Sequence, residues 1–239
     1  TMLVPFNSAE KACEAVSAVF RAGITPSALE FIERDAIDWT LKYTDVKLQI
    51  DDNVQAHLLV EVDGNDLDLL HKDSEKVAEV MMSNDCGEIL LADSESQKNQ
   101  LWKLRRAIGE AIKSNSIYKE EDTVVPRAEL AKLLIGVKSI GKVYGFQSVC
   151  YGHAGDGNLH INIVKGEMSD EDWNTKLTFG IREIFELTKK LGGTLSGEHG
   201  IGLVQKNYMD IVFSEKALDL QKGIKNLFDP NGIWNPGNI

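Results

Sequence analysis

Three of the chain's five histidines, His153, His160 and His199, fall within Gly-rich motifs of its second half. His153 and His160 belong to YGHAGDGNLHINIV, Tyr151 to Val164, where a Gly-Asp-Gly-Asn stretch interrupts an apolar alternation and predicts a hairpin. With Asp156-Gly157 as a two-residue loop, the commonest tight turn, His153 stands opposite His160 with Cβ atoms about 5 Å apart on one face. Period-two alternation adds Tyr151 and Asn162 to that face and turns Cys150, Gly152, Ala154, Leu159, Ile161 and Ile163 toward a core. Two imidazoles and an amide converging on a strand pair suit a metal or a substrate, and strands hold such groups rigidly. Asp156 itself reads as turn chemistry.

TLSGEHGIG, Thr194 to Gly202, supplies a further piece, Glu198-His199 between glycines that permit close backbone approach to a ligand. Taken alone it reads equally well as a surface turn. With the hairpin, His153, His160 and Glu198 form a ligand set that leaves a coordination position open, as catalytic divalent sites do. His199 is then placed to act as general base, since an imidazole titrates near working pH. His57 and His71 have no ligand partner at useful spacing and read as packing or surface residues.

SESQKNQLWKLRRAIGEAIKSN, Ser94 to Asn115, opens on a capping box and reads as one long helix. Its apolar stripe puts Arg105 and Arg106 on the border of that face or opposite it, where a solvated position is the ordinary outcome. Arg105 gains interest from Trp102 a turn earlier, which shields one side, and its planar fork suits a carboxylate. In the tail, FDPNGIWNPGNI, Asn235 is the polar side chain best able to serve a ligand.

These groups need a scaffold. In the first half, strands at Met2 to Phe6, Ala28 to Ile32, Ala56 to Val62 and Glu88 to Ala92 alternate with helices at Ser8 to Ala22, Arg34 to Lys42 and Asp66 to Met82. This is the split βαβ pattern of ferredoxin-like α+β domains, an antiparallel sheet with flanking helices. A strand before Pro126 and a helix to about Tyr144 lead into the hairpin, and Ser169 to Lys190 is a scaffold helix.

The 239 residues suffice for one large domain or two small ones, and the net charge of −11 makes nucleic acid and anionic membranes poor partners. No apolar run reaches the roughly 18 residues of a membrane span. Cys13, Cys86 and Cys150, odd in number and in apolar contexts, read as reduced core residues of a cytoplasmic protein. The chain opens directly on a strand while its end looks finished, which suggests a fragment or an expressed domain.

GHAGDGNLHINIV, TLSGEHGIGLVQKNYM and FDPNGIWNPGNI, with LWKLRRAIGEAIK and EEDTVVPRAEL, resemble the C-terminal domain of FAD-linked oxidases of the vanillyl-alcohol oxidase and p-cresol methylhydroxylase type. The nearest branch holds the glycolate oxidase flavin subunit, D-lactate dehydrogenases and D-2-hydroxyglutarate dehydrogenase. The resemblance implies that residues 1–239 are a substrate and metal-binding cap domain, inactive without an N-terminal FAD-binding domain that this chain lacks. It implies a divalent metal on His153, His160 and Glu198, zinc first, with iron or manganese as alternatives. By the same resemblance Arg105 and Asn162 bind the 2-hydroxy acid, His199 takes the hydroxyl proton, hydride leaves to the flavin, and Asn235 approaches the flavin ring. Where the hydroxyglutarate branch has a threonine and a lysine for a distal carboxylate, this chain has Gly109 and Glu120, with Lys119 adjacent. A short acid such as glycolate or lactate is therefore favoured. The electron acceptor is not specified, and a peripheral membrane association through it stays open. A metal-dependent hydrolase using Glu198 or His199 as base, and a non-catalytic binding module of the same fold, are the alternatives.

Overall fold

The computed structural model describes residues 1–238. β1 (Met2–Phe6) leads to α1 (Ala9–Arg21), whose first turn is capped by the Ser8 hydroxyl accepting from Lys11 N. Its buried positions Ala12, Ala15, Val16 and Val19 make the stripe that lies on the sheet. β2 (Ala28–Glu33), α2 (Arg34–Tyr43), β3 (Ala56–Glu61), α3 (Leu67–Met82) and the two-residue β4 (Leu90–Leu91) complete the first half. The next segment carries α4 (Glu95–Arg106) and α5 (Ile108–Asn115). β5 (Tyr118–Val124), α6 (Leu130–Tyr144), β6 (Gln147–Gly152), β7 (Asn158–Val164), α7 (Asp170–Lys190) and β8 (Thr194–Leu195) form the second half. Three further helices, α8 (Gly202–Gln205), α9 (Met209–Val212) and α10 (Glu215–Phe228), precede the tail.

All eight strands join one sheet in the order β4-β1-β3-β2-β6-β7-β5-β8, antiparallel at every pairing. The first four have the ferredoxin-like order predicted for them. The second four have the same order reversed, so the molecule is two ferredoxin-like units joined at their second strands, β2 and β6. α1, α3, α6 and α7 bury their stripes on one face, around Phe31, Leu58, Ile161 and Phe185. α2, α4 and α5 cover part of the other face, around Ile32, Val149 and Tyr151. The uncovered part of that second face carries the histidines. Cys13, Cys86 and Cys150 are free thiols, as expected, and no described helix is long and apolar enough to cross a membrane.

Two local expectations are corrected. Residues 94–115 are not one helix: the chain turns at Ala107, whose N–H bonds to the Lys103 and Leu104 carbonyls, and restarts as α5. The break lets Gly109 come in under the Tyr151 hydroxyl, where a Cβ would lie only 3.3 Å from Oη. The hairpin loop is also longer than two residues. Tyr151, not His153, stands opposite His160. A two-residue loop of the commonest kind needs positive φ at both central positions, yet only Gly157 of that pair has it, at 77°. The chain instead makes a 3₁₀ turn over Ala154–Asp156. Val125 fixes this shape: its N–H donates to Gly157 O at 3.0 Å, and a Cβ on residue 157 would lie 1.9 Å from Val125 O.

Candidate metal and substrate centre

β7 and β5 run side by side on the open face, with His160 opposite Asp122 and Asn162 opposite Glu120. β7 is buried along its whole length, so the His160 ring is fixed by its surroundings, 5.0 Å from the Tyr151 ring and stacked at 5.0 Å on His199. Although His153 lies in the loop, it reaches the same point, its ring edge-on to His160 at 5.7 Å. Glu198 is the focus. Its Oε1 lies 3.3 Å from His160 Nε2, 3.5 Å from His153 Nε2 and 3.6 Å from His199 Nε2.

Those separations decide what the cluster is suited to hold. They exceed the 2.7–3.2 Å range of N–H···O hydrogen bonds, so the imidazoles surround the carboxylate oxygen without bonding to it. Zinc with ligands at about 2.0–2.2 Å in a tetrahedron sets neighbouring ligand atoms about 3.3–3.6 Å apart. The separations of Glu198 from His153 and from His160 meet that spacing, and the three ligand atoms all lie within 4.8 Å of one another. A second grouping, Glu120, His160 and His199, shares His160 with the first and meets the same limit. The predicted ligands are thus brought together, with the predicted base His199 beside them.

The loop bearing Glu198 and His199 is held by a residue that sequence reasoning did not place in the site. Asp122, only 1 % exposed, accepts Glu198 N–H at 2.8 Å, His199 N–H at 3.0 Å and the Ser196 hydroxyl at 3.0 Å on Oδ2, and the Asn158 amide at 2.6 Å on Oδ1. Burial alone would raise its pKa, but these donors outweigh it and hold the carboxyl below its ordinary value. Glycine is required at 197, where a Cβ would lie 2.1 Å from Asn158 Nδ2.

Glu30 of β2 plays the matching role for His153. Its Oε1 accepts from His153 Nδ1 at 2.9 Å, while Oε2 faces Arg105 Nε at 2.8 Å and Nη2 at 2.7 Å. This bond assigns the proton to Nδ1 and leaves the Nε2 lone pair aimed at the cluster, the usual support for a metal-binding imidazole. Burial would raise the pKa of Glu30, but His153 and Arg105 lower it on balance. The bond to Glu30 raises His153 against the effect of burial. Burial lowers His160 to about 4, which keeps that ring neutral, with one ring nitrogen protonated and a lone pair on the other.

Arg105 is not on a solvated face: it is 8 % exposed, ion-paired with Glu30, with its guanidinium 4.9 Å from the centroid of the Tyr151 ring. Asn162 is wholly buried two residues beyond His160; its Nδ2 donates to Val149 O at 3.3 Å, and Oδ1 has no partner among the described residues. Asn235 sits apart from the sheet, exposed in the tail turn with φ 43°. Of the residues that sequence reasoning missed, Glu30 had a visible signal, an acid in the alternation Leu29, Glu30, Phe31, Ile32. Glu120 lies 3.4 Å from His160 Nδ1 through Oε1, and burial raises its pKa.

Two ferredoxin-like units thus share one sheet whose open face carries a cluster of imidazoles and carboxylates. Residues 1–239 match the family described as FAD linked oxidases, C-terminal domain, and the chain belongs to that family. It is 30% identical over 244 residues to a D-lactate dehydrogenase of Anaerostipes hadrus, covering 100% of this chain and 51% of that protein. With glycolate oxidase subunit GlcD of Bacillus subtilis it shares 31% identity over 242 residues, 100% of this chain and 50% of the relative. D-2-hydroxyglutarate dehydrogenase of Stutzerimonas stutzeri is 36% identical over 156 residues, 63% of this chain and 33% of that protein. The fold matches p-cresol methylhydroxylase with substrate bound at a TM-score of 0.63 and 15% identity, covering 99% of this chain and 52% of that one. The chain thus spans about half the length of the curated relatives it matches.

Proposed function

We propose that this chain is the substrate- and metal-binding half of an FAD-dependent D-2-hydroxy-acid dehydrogenase of the glycolate or D-lactate kind. The observation that carries the proposal is the convergence of three imidazole nitrogens on Glu198 Oε1 at 3.3–3.6 Å, beside a buried arginine. In this reading His153, His160 and Glu198 hold a divalent cation; their mixed imidazole and carboxylate character suits zinc, iron or manganese. When bound, the cation supplies Lewis-acid polarisation of the substrate hydroxyl, and the flavin serves as hydride acceptor. His199 takes the hydroxyl proton on Nε2, the nitrogen turned toward Glu198. Arg105, whose Nε donates to Glu30 and whose Nη2 is ion-paired beside it, offers Nη1 to the substrate carboxylate. Asn162 backs the hydroxyl side with its unpaired Oδ1, and Asn235 approaches the flavin from the tail.

The substrate in this reading carries one carboxylate. Glu120 lines the open face beside His160, where a second carboxylate would meet a like charge. Lys119 cannot compensate, because alternation along β5 turns it away, with Nζ 6.0 Å from the Trp173 ring of α7.

Zinc titration of the metal-free chain, followed by calorimetry, tests the proposal. One ion per chain is expected, with binding lost in His153→Ala, His160→Ala and Glu198→Gln. The chain alone should reduce no dye with D-lactate, whereas the protein carrying its flavin-binding half should. Absence of stoichiometric binding, or metal-dependent ester cleavage that disappears in His199→Ala, would overturn it.

A further inference from the structure

Two polar groups on the open face have no partner within the protein. The Glu120 carboxylate of β5 is only 27 % exposed, and His160 Nδ1 stands 3.4 Å from its Oε1 without bonding to it. Among the described residues no hydrogen bond reaches this carboxylate. The nearby cations are engaged elsewhere, Arg105 with Glu30 and Lys119 against Trp173 on the other side of the sheet.

The second group is the Tyr151 hydroxyl. Its ring flanks His160 from β6, 5.0 Å from the imidazole, with the Arg105 guanidinium 4.9 Å from its centroid. Tyr151 is 7 % exposed, and its hydroxyl makes no hydrogen bond among the described residues. Burial first, and then the Glu120 carboxylate, push the phenol pKa up, so the two groups lie within each other's field. The hydroxyl is aimed at Gly109 of α5, where a Cβ would lie 3.3 Å from Oη and meet no other heavy atom within 4 Å outside its own helix turn. Polar groups held in a mostly buried wall cost free energy until a ligand completes them.

The function proposed above leaves one substituent of the substrate without a place. At the α-carbon the carboxylate goes to Arg105, the oxygen to the cation and His199, and the hydrogen faces the flavin. The fourth substituent falls to the remaining wall, made by Gly109, Tyr151 and Glu120. We infer that this wall selects a side chain bearing a hydroxyl on the adjacent carbon, so that the preferred substrate is a 2,3-dihydroxy acid such as D-glycerate. The inference rests on the proposed function and deepens it by naming the substrate class.

A hydroxyl is the group that suits both partners. It donates to Glu120, whose carboxylate can only accept, and it accepts from the Tyr151 O–H. The methyl of D-lactate would leave both unpaired, and a second carboxylate would meet Glu120 with like charge. An ammonium would pair with Glu120 but would stand near Arg105 and the cation, and it has no lone pair for the tyrosine. Gly109 leaves room for one carbon and its hydroxyl beside Tyr151.

Steady-state kinetics of the protein with its flavin-binding half test the inference on D-glycerate, D-lactate and D-isoserine, which carry hydroxyl, hydrogen and ammonium on that carbon. A site built to bond a substrate hydroxyl rejects the analogue that lacks it, so kcat/KM should favour D-glycerate over D-lactate by at least about tenfold. Tyr151→Phe and Glu120→Leu should each lower that ratio by about fivefold or more. A ratio near one in the parent protein would overturn the inference. So would preference for D-isoserine over D-glycerate, or a ratio that neither substitution moves. Oxidation of D-lactate without the expected preference removes only this substrate class, whereas oxidation of none of the three acids removes the catalytic reading together with it.

Discussion

Glu30→Gln should damage the proposed metal centre without altering any proposed ligand. The native carboxylate serves two donors at once, His153 Nδ1 on one oxygen and Arg105 Nε on the other, with Arg105 Nη2 in ion-pair contact at 2.7 Å. Glutamine keeps a single acceptor. If its oxygen stays with Arg105, its NH₂ faces His153 Nδ1, which must then accept, moving the ring proton to Nε2 and removing the lone pair aimed at Glu198. Loss of such a supporting partner costs about 10–100-fold in metal affinity, or about 1.4–2.7 kcal/mol. Arg105, almost fully buried, also loses its counter-ion. Breaking a buried pair costs about 3–5 kcal/mol, and the retained hydrogen bond places the loss near the lower end.

Zinc calorimetry and urea unfolding of the metal-free chain measure the two effects separately. The pH dependence adds a check. Glu30 has a folded pKa below its ordinary 4.5, so its stabilisation is present above that value and is lost as pH falls through the depressed one. His153 has a folded pKa above its ordinary 6.5, so the part owed to its charged form is complete below 6.5 and fades as pH rises through the raised one. The stability gap between parent and variant should therefore be widest between those ordinary values. Zinc affinity retained within about twofold, together with an unchanged urea midpoint, would refute the role given to Glu30.

Three further substitutions probe other parts of the centre. Asp122→Asn should cost about 2–3 kcal/mol, the scale of a hydrogen bond to a charged group, and should speed amide exchange at Glu198 and His199; unchanged exchange there would show that the loop holds itself. Gly157→Ala should cost about 2–4 kcal/mol in urea unfolding, from positive φ and the close approach to Val125 O, and a loss below about 0.5 kcal/mol would contradict the turn described. In the protein with its flavin-binding half, Glu120→Lys should raise kcat/KM for D-2-hydroxyglutarate relative to D-lactate by about tenfold or more, the equivalent of about 1.4 kcal/mol; an unchanged ratio would remove Glu120 from substrate selection.

Much of the fold was legible because its cues are local. Leu29, Phe31, Leu58 and Val60 alternate as half-buried strands do, and Ser8 and Ser169 cap helices whose apolar spacing fits a single face. The second ferredoxin-like unit was harder to see. Its first strand carries Glu120-Glu121-Asp122, which reads as a solvated charge run, and its last is the two-residue β8 inside a Gly-rich stretch. Asp122 is buried because its donors arrive from residues 196–199, a partnership without any local signature. The grouping of His153, His160 and Glu198 was legible from residue type and glycine context. The geometry assigned to His153 was wrong, since the turn is shaped by Val125, which lies far from it in sequence. Arg105 looked solvent-facing for the same reason: its partner Glu30 is 75 residues away.

The position of the centre follows from how the two units are joined. β2 and β6 share only two register pairs, Phe31 with Gly152 and Ile32 with Tyr151, few for a seam through the middle of an eight-stranded sheet. Side chains of β2 reinforce it on both faces. Glu33 crosses on one face to Lys138 of α6 at 2.7 Å and to Cys150 N–H at 2.8 Å. Glu30 crosses on the other to His153 and Arg105. The open-face crossing is therefore also the support of a candidate ligand, so the group that orients His153 helps hold the two units together. A cation bound through His153, His160 and Glu198 would tie the loop after β6, strand β7 and the loop after β8 to one point, and through Glu30 to the first unit. Metal binding and cohesion of the two units are then coupled, which places the cluster beside an internal seam of only two register pairs.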